Sequence, residues 1–247
     1  MNPTPTERQR DFYDGIAGQY HDLRYGSRYG KLFRALHHEA LSDLLALVSP
    51  NARVLEVACG TGHTTELLYQ RGVDFIACDL TPRMLERARQ RLSGPAPFLI
   101  ADAGVLPFPE AQFDVVISTR FLHLFDIVDQ HRMLGEMVRV LRPGGRLIVD
   151  FDNFVSRWVL AIPHLLYNLA RYRRLAPETE YNRIGQVENM LASLGLSDLR
   201  SIGVGGYHLI VPALISPQFA VRLGRMHQGR SMRVLAEQFV TTGIKSR

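Results

Sequence analysis

The chain has 247 residues, 46% of them hydrophobic and 21% charged, the balance of a globular protein with a sizeable core to bury. No apolar run approaches the roughly 20 residues of a membrane span, and Met1-Asn2-Pro3-Thr4-Pro5-Thr6-Glu7-Arg8 lacks the apolar core and cleavage signature of a secretory leader. Two cysteines, Cys59 and Cys78, both end apolar strand-like runs, so they read as small core fillers in a reducing, cytoplasmic setting and not as a disulfide.

Charge is unevenly spread. Up to residue 152 there are 17 basic and 19 acidic side chains; from residue 153 onward there are 12 and 5. The basic C-terminal part fits an anionic substrate, a membrane surface or RNA, and fits equally well arginines solvated on exposed helix faces.

In chain order, residues 7–48 have a helical pattern, with Tyr13, Tyr20 and Tyr25 early and Leu32–Val48 as a longer amphipathic helix. His37-His38-Glu39 on that helix is read as surface, because adjacent residues point apart and no third metal ligand accompanies them. Strands are expected at Arg53–Ala58, Asp74–Asp79, Pro97–Ala101, Phe113–Thr119 and Gly145–Phe151, with helices at Thr64–Gln70, Pro82–Leu92 and Gln130–Leu141 between them. This alternation predicts an α/β fold with a parallel sheet flanked by helices. Thr81-Pro82 is a helix start with a hydroxyl N-cap, and Pro143-Gly144-Gly145 turns the chain out of the third of these helices.

Residues 153–181 differ in character. Trp158, Ile162, Leu165, Leu169 and Tyr172 form one apolar stripe, Pro163 interrupts it, and Arg157, Arg171, Arg173 and Arg174 lie nearby. Phe151, Phe154, Trp158, Tyr167 and Tyr172 would line an apolar pocket under such an insert, and its arginines make it a candidate for peripheral contact with anionic lipid headgroups. A helix at Glu188–Leu194, a sixth strand at Asp198–Val204 and a last strand at Phe239–Ile244 follow. The stretch between the last two is too long for a hairpin loop, so a helix is placed within it at Arg230–Gln238.

The chemistry is concentrated at Val54–Gly62. An apolar run enters a glycine turn, and Glu56 stands four residues before Gly60. Asp79, seventeen residues after Gly62, ends the next strand. A dinucleotide site normally adds a third glycine for close helix–strand packing, and Thr65 stands there instead. Two acids and a bare-backbone turn suit a nucleoside with a ribose diol and a cationic, amino-acid-like tail, a description that S-adenosylmethionine meets.

Further segments strengthen that reading. Asp79-Leu80-Thr81-Pro82-Arg83-Met84-Leu85, Ala101-Asp102-Ala103 with Leu106-Pro107-Phe108, Phe113–Ser118 and Arg139–Gly145 follow in order, and Phe12–Tyr20 precedes them all. With these motifs the chain resembles the class I S-adenosylmethionine-dependent methyltransferases, and within them the small-molecule group that includes quinone-biosynthesis enzymes. The resemblance covers residues 12–151. It implies a Rossmann-like, doubly wound sheet of seven strands, mostly parallel with an antiparallel last strand and helices on both faces. It also implies a single domain: a helical lid over 7–48, a cofactor core over 50–152, the insert 153–181 and completion of the sheet over 183–247.

Residue by residue, the resemblance implies Gly60 and Gly62 along the methionine portion of the cofactor and Glu56 near its charged end. It places Asp79 on the ribose hydroxyls, Leu80 and Met84 near the adenosine, and Asp102 with Ala103 at the adenine edge. Thr119 would line the cofactor on the substrate side and Tyr20 would belong to the lid, although His21 follows it where an aspartate is common. His123, just past the fourth strand, is the candidate general base, with Tyr207 and His208 behind it. No cluster has metal-ligand spacing, so the expected reaction is metal-free, in-line transfer of a methyl group to oxygen or carbon of a small apolar or amphipathic acceptor, for which aromatic and lipid-like molecules are candidates. No stable nucleic-acid partner is expected. A nucleic-acid methyltransferase and a cofactor-binding protein without transfer activity are the competing readings.

Overall fold

The computed structural model describes residues 4–159, 179–226 and 233–246. Most of the expected insert, including the stripe from Ile162 to Tyr172 and Pro163, lies outside these residues.

Three helices open the chain: α1 (Pro5–Ile16), α2 (Tyr20–Tyr25) and α3 (Arg28–Leu45). Their starts are chemically marked. Thr4 and Glu7 form a reciprocal capping box, and the Ser27 hydroxyl accepts from the Gly30 amide. There follow β1 (Arg53–Val57), α4 (His63–Gln70), β2 (Asp74–Asp79), α5 (Pro82–Arg91), β3 (Phe98–Ile100), β4 (Phe113–Ser118), α6 (Ile127–Val140) and β5 (Leu141–Asp152). Asp126 starts α6 by accepting from the amides of Val128 and Asp129. The chain continues with α7 (Phe154–Val159), α8 (Ile184–Ser193), β6 (Leu196–Val204), α9 (Ile210–Ile215), α10 (Pro217–Arg225) and β7 (Gln238–Lys245).

The seven strands form one sheet in the order β3-β2-β1-β4-β5-β7-β6. The strands from β3 to β5 are parallel, and β7 runs antiparallel to both β5 and β6. This is the expected doubly wound sheet. Its strands are apolar on both faces, as burial under two helical layers requires. Val54, Val115 and Ile148 face a core with α3, α4 and α5, while Leu55, Val116 and Leu147 face a second core with α6 and α8.

Some local expectations are corrected. The long link after β6 holds α9 and α10, whereas at the expected helix Arg230–Gln238 the described residues form a short 3₁₀ turn, Arg233–Leu235, before β7 begins. The hydroxyl of Thr81 does not cap α5; the Thr81 amide is instead taken by Asp79. His37 is not on the surface but buried, with Nε2 2.8 Å from Oδ2 of Asp150 on β5.

Parallel strands deliver their carboxyl ends to one edge, and the strand order reverses between β1 and β4. Such a reversal opens a crevice above the strand ends. Here β1, β2 and β4 end at Val57, Asp79 and Ser118, and α1 and α2 lie across that edge.

Candidate active site

The turn after β1 is held open by unusual backbone geometry. Ala58, Gly60 and Gly62 all have positive φ, at 58°, 55° and 79°. For Ala58 that is a strained conformation, of the kind that clusters at ligand sites. A Cβ at Gly60 would meet nothing within 4 Å, so its bare backbone faces open space. Gly62 answers to a different need: a Cβ there would lie 3.0 Å from the Ala88 Cβ, and its absence lets α4 and α5 approach.

Asp79 ties the turn to the neighbouring strand. Its Oδ2 accepts from the Gly60 amide and its Oδ1 from the Thr81 amide, both at 2.8 Å. Burial raises its pKa above the usual carboxylate range, and these amides pull the other way. Glu56 lies beneath, 2% exposed, with Oε2 lacking any partner. Burial, aided by the charge of Asp79, pushes its carboxyl up to about 8. A buried carboxyl with an unsatisfied oxygen is costly unless something polar arrives to use it.

Above this floor lies a cleft enclosing about 750 Å³ of atom-free space, part of it open to solvent. Its walls bring together Tyr20, Gly60, Asp79, Leu80, Met84 and Thr119 from the sequence-derived set. Thr119 is fixed by a 2.9 Å hydroxyl pair with Thr64. Glu56, Gly62, Asp102, Ala103 and His123 do not line it. Asp102 follows β3 and accepts from the Gly104 amide at 2.8 Å, and Ala103 is buried. His123 is 2% exposed on a 3₁₀ turn, Leu122–Leu124, with Nδ1 unpartnered. Burial lowers its pKa, against the opposing charge of Asp152. Of its two followers, His208 is exposed.

Sequence reasoning missed the far wall. Tyr13, Tyr25, Phe121, Leu124 and Phe125 make it aromatic and apolar, and Arg120 is set among them. Tyr25 also packs edge-on against His63, whose ring stacks on His21 at 5.1 Å. Burial pushes the His63 pKa down to about 2, and the Arg91 charge adds to it. The signal for this wall was present in the tyrosines of the first helices, but Phe121, Leu124 and Phe125, which complete it, lie about a hundred residues further on.

The cofactor fit rests on the orphaned Glu56 carboxyl, the open face of Gly60 and the acid at the end of β2. Comparison with known proteins settles the family. A methyltransferase-domain family model matches residues 55–149. A demethylmenaquinone methyltransferase of Thermus thermophilus is 40% identical over 188 residues, covering 67% of this chain and 84% of that protein. This chain belongs to the class I S-adenosylmethionine-dependent methyltransferases, in the quinone-biosynthesis group.

A demethylmenaquinone methyltransferase of Clavibacter sepedonicus is 39% identical over a shorter stretch, 39% of this chain and 40% of its own length. Among solved structures, magnesium protoporphyrin IX methyltransferase from Synechocystis PCC 6803, with bound S-adenosylhomocysteine, superposes with a TM-score of 0.70 at 16% identity, over 98% of this chain and 100% of that one. A methyltransferase from Archaeoglobus fulgidus does so at 0.62 and 16%, over 92% and 98%. At such identities the likeness is one of fold. The chain is thus a methyltransferase and S-adenosylmethionine is its cofactor. No helix among the described residues is long and apolar enough to cross a membrane.

Proposed function

We propose that this methyltransferase acts on a small aromatic acceptor of the demethylmenaquinone kind, adding the methyl group to a carbon of the reduced, quinol ring. The observation that carries this reading is the aromatic and apolar far wall, continuous with the cofactor half of the cleft. A flat ring is held there by shape and stacking, with few polar contacts. The 40% identity to a demethylmenaquinone methyltransferase supports the same acceptor class.

In this reading Gly60 passes its bare backbone along the methionine portion, Asp79 receives the ribose hydroxyls, and Leu80 and Met84 pack on the adenosine. Asp102 and Ala103 stand at the adenine edge, and Thr119 marks the boundary between cofactor and acceptor. Gly62 acts through the packing of α4 on α5, and Glu56 supplies a buried negative charge on the ammonium side. Once bound, S-adenosylmethionine supplies an electrophilic methyl on a sulfonium with a good leaving group. What remains for the protein is alignment and exclusion of water, which Tyr13, Tyr20 and Tyr25 of the N-terminal helices achieve by covering the cleft. His123 lies outside the cleft wall and takes no part in the transfer. Peripheral membrane contact by the 153–181 insert falls largely outside the described residues and adds nothing to this reading.

The test is anaerobic incubation of the protein with methyl-labelled S-adenosylmethionine and 1,4-dihydroxynaphthalene, a minimal quinol. A ring-methylated product is expected by mass spectrometry. Label passing instead to an oxygen, or only to added RNA, would overturn the reading.

A further inference from the structure

The cleft carries a cation that nothing assigned so far uses. Arg120 follows β4 with φ of +58°, a left-handed conformation that a bulky residue adopts only under constraint. The constraint is visible. Its amide donates to Oδ1 of Asp150 at 2.6 Å, and its guanidinium lies over the Phe33 ring at 5.1 Å. The side chain is half-buried in the cleft wall, Nη1 reaches Oε1 of Gln238 at only 3.4 Å, and Nε is buried without a partner.

The acids around it are otherwise engaged. Asp150 holds His37 and the Arg120 amide, Asp152 accepts from Gln238, and Glu237 accepts from the Tyr29 hydroxyl. Among the described residues none of them forms an ion pair with the Arg120 guanidinium. The charge of Asp152 reaches the guanidinium without touching it and helps to hold it charged, while Nε keeps an N–H that no described residue takes and that an anionic oxygen would satisfy. Tyr20 reports the same field. Burial would push its hydroxyl up, yet the guanidiniums of Arg24 and Arg120 beside it hold it below the ordinary phenol range.

We propose that Arg120, with Tyr20 beside it, forms an oxyanion subsite on the acceptor side of the cleft, so that the acceptor binds as its aryl oxide. This deepens the quinol reading and rests on it for the identity of the acceptor. The aryl oxide, its hydroxyl proton given up to solvent on binding, is the electron-rich form of a quinol and is favoured by a fixed guanidinium. Its ring carbon would take the methyl as the carbon–sulfur bond breaks to leave the thioether, and that carbon's hydrogen would then leave as a proton to water to restore the aromatic ring.

The test separates this subsite from the acceptor's identity. The protein, saturated with S-adenosylhomocysteine, is titrated calorimetrically with 2-naphthoate, a permanent anion, and with 2-acetylnaphthalene, its neutral counterpart in shape. The anion is expected to bind at least about tenfold more tightly to the wild type. Arg120→Met should abolish that preference and Arg120→Lys should keep part of it, with S-adenosylhomocysteine affinity unchanged in both. Equal binding of the two probes by the wild type, which requires no variant to fold, would sink the subsite. So would a preference that survives Arg120→Met. Loss of S-adenosylhomocysteine affinity in a folded Arg120→Met would reassign the guanidinium to the cofactor's own carboxylate. A wild type that prefers the anion but forms no methylated naphthoquinol would bring down the acceptor assignment and leave the subsite standing.

Discussion

At the scale of single residues, Asp79 and His123 make opposite predictions. Asp79 is shared between the Gly60 and Thr81 amides and the proposed ribose contact, so Asp79→Ala removes a charged acceptor from all three. Affinity for S-adenosylhomocysteine should fall by about 10–100-fold, the worth of a hydrogen bond to a charged group. Unchanged affinity in calorimetry would remove the assignment. His123 is buried and off the cleft wall, so His123→Asn should leave kcat/KM within about threefold. A pH–rate profile that loses an ionisation in this variant would restore it as a base. Asp79 was readable in the sequence as a strand-ending acid, and it does end β2 on the cleft wall, whereas His123, expected to face the acceptor, is buried away from that wall. Arg120 was not readable there, because a lone arginine after a strand looks like surface. Only the fold brings Tyr20, Phe33 and Gln238 around it.

At the scale of elements, the turn from β1 into α4 depends on glycine twice over. Gly62→Ala would strain a left-handed residue and press a methyl against Ala88 at 3.0 Å. The expected cost is about 1–3 kcal/mol, read as a lowered urea midpoint with an unchanged slope. A second element contact, His37 on α3 with Asp150 on β5, is buried on both sides. His37→Ala removes one of the two partners of Asp150, the Arg120 amide being the other, and should cost about 1–3 kcal/mol. Thermal melting of the variant within a degree or two of wild type would contradict this. Strands β1, β2 and β4 were legible because a short apolar run without alternation, bounded by turn residues, suits a strand buried on both faces and is too brief for a helix. The His37 pairing was not, since its partner is 113 residues away. The helices α9 and α10 were overlooked although Ser216-Pro217 repeats the Thr81-Pro82 signal; α9 is only six residues long and has Pro212 within it, too little for a helical period to show.

At the scale of the whole molecule, the helices before the sheet and the link after it meet over the carboxyl end of the strands. Tyr29 of α3 bonds Glu237 before β7 and accepts from the Gly206 amide at 3.1 Å. The cleft itself is lined only by residues up to Phe125, so its aromatic wall lies inside the segment read from the sequence; what the sequence does not display is that Tyr13 and Tyr25 meet Arg120 and Phe121 from about a hundred residues away. The same layer carries a pH dependence. Burial lowers the pKa of His38 to about 4 and of His63 to about 2, below the unfolded value near 6.5. For a base held neutral in the fold, the unfolded chain binds the extra proton, so stability is present above pH 6.5 and lost as pH falls below it. The raised carboxyl of Glu56 works the opposite way over part of this range, so the histidine contribution is read as a difference: between about pH 6.5 and 4 the thermal midpoint of His63→Gln should fall less, or rise more, than that of the wild type. An unchanged slope would place the buried ring elsewhere.

The carboxyl of Glu56 has one more consequence. With its pKa raised to about 8 by burial, it keeps its proton at neutral pH. A ligand that brings an ammonium group beside it favours the carboxylate, so the proton must leave as the ligand arrives. In the proposed binding mode, cofactor capture is thereby an acid-releasing event. The apparent binding enthalpy should differ between phosphate and Tris by the heat of taking up that proton, a difference that Glu56→Gln would erase.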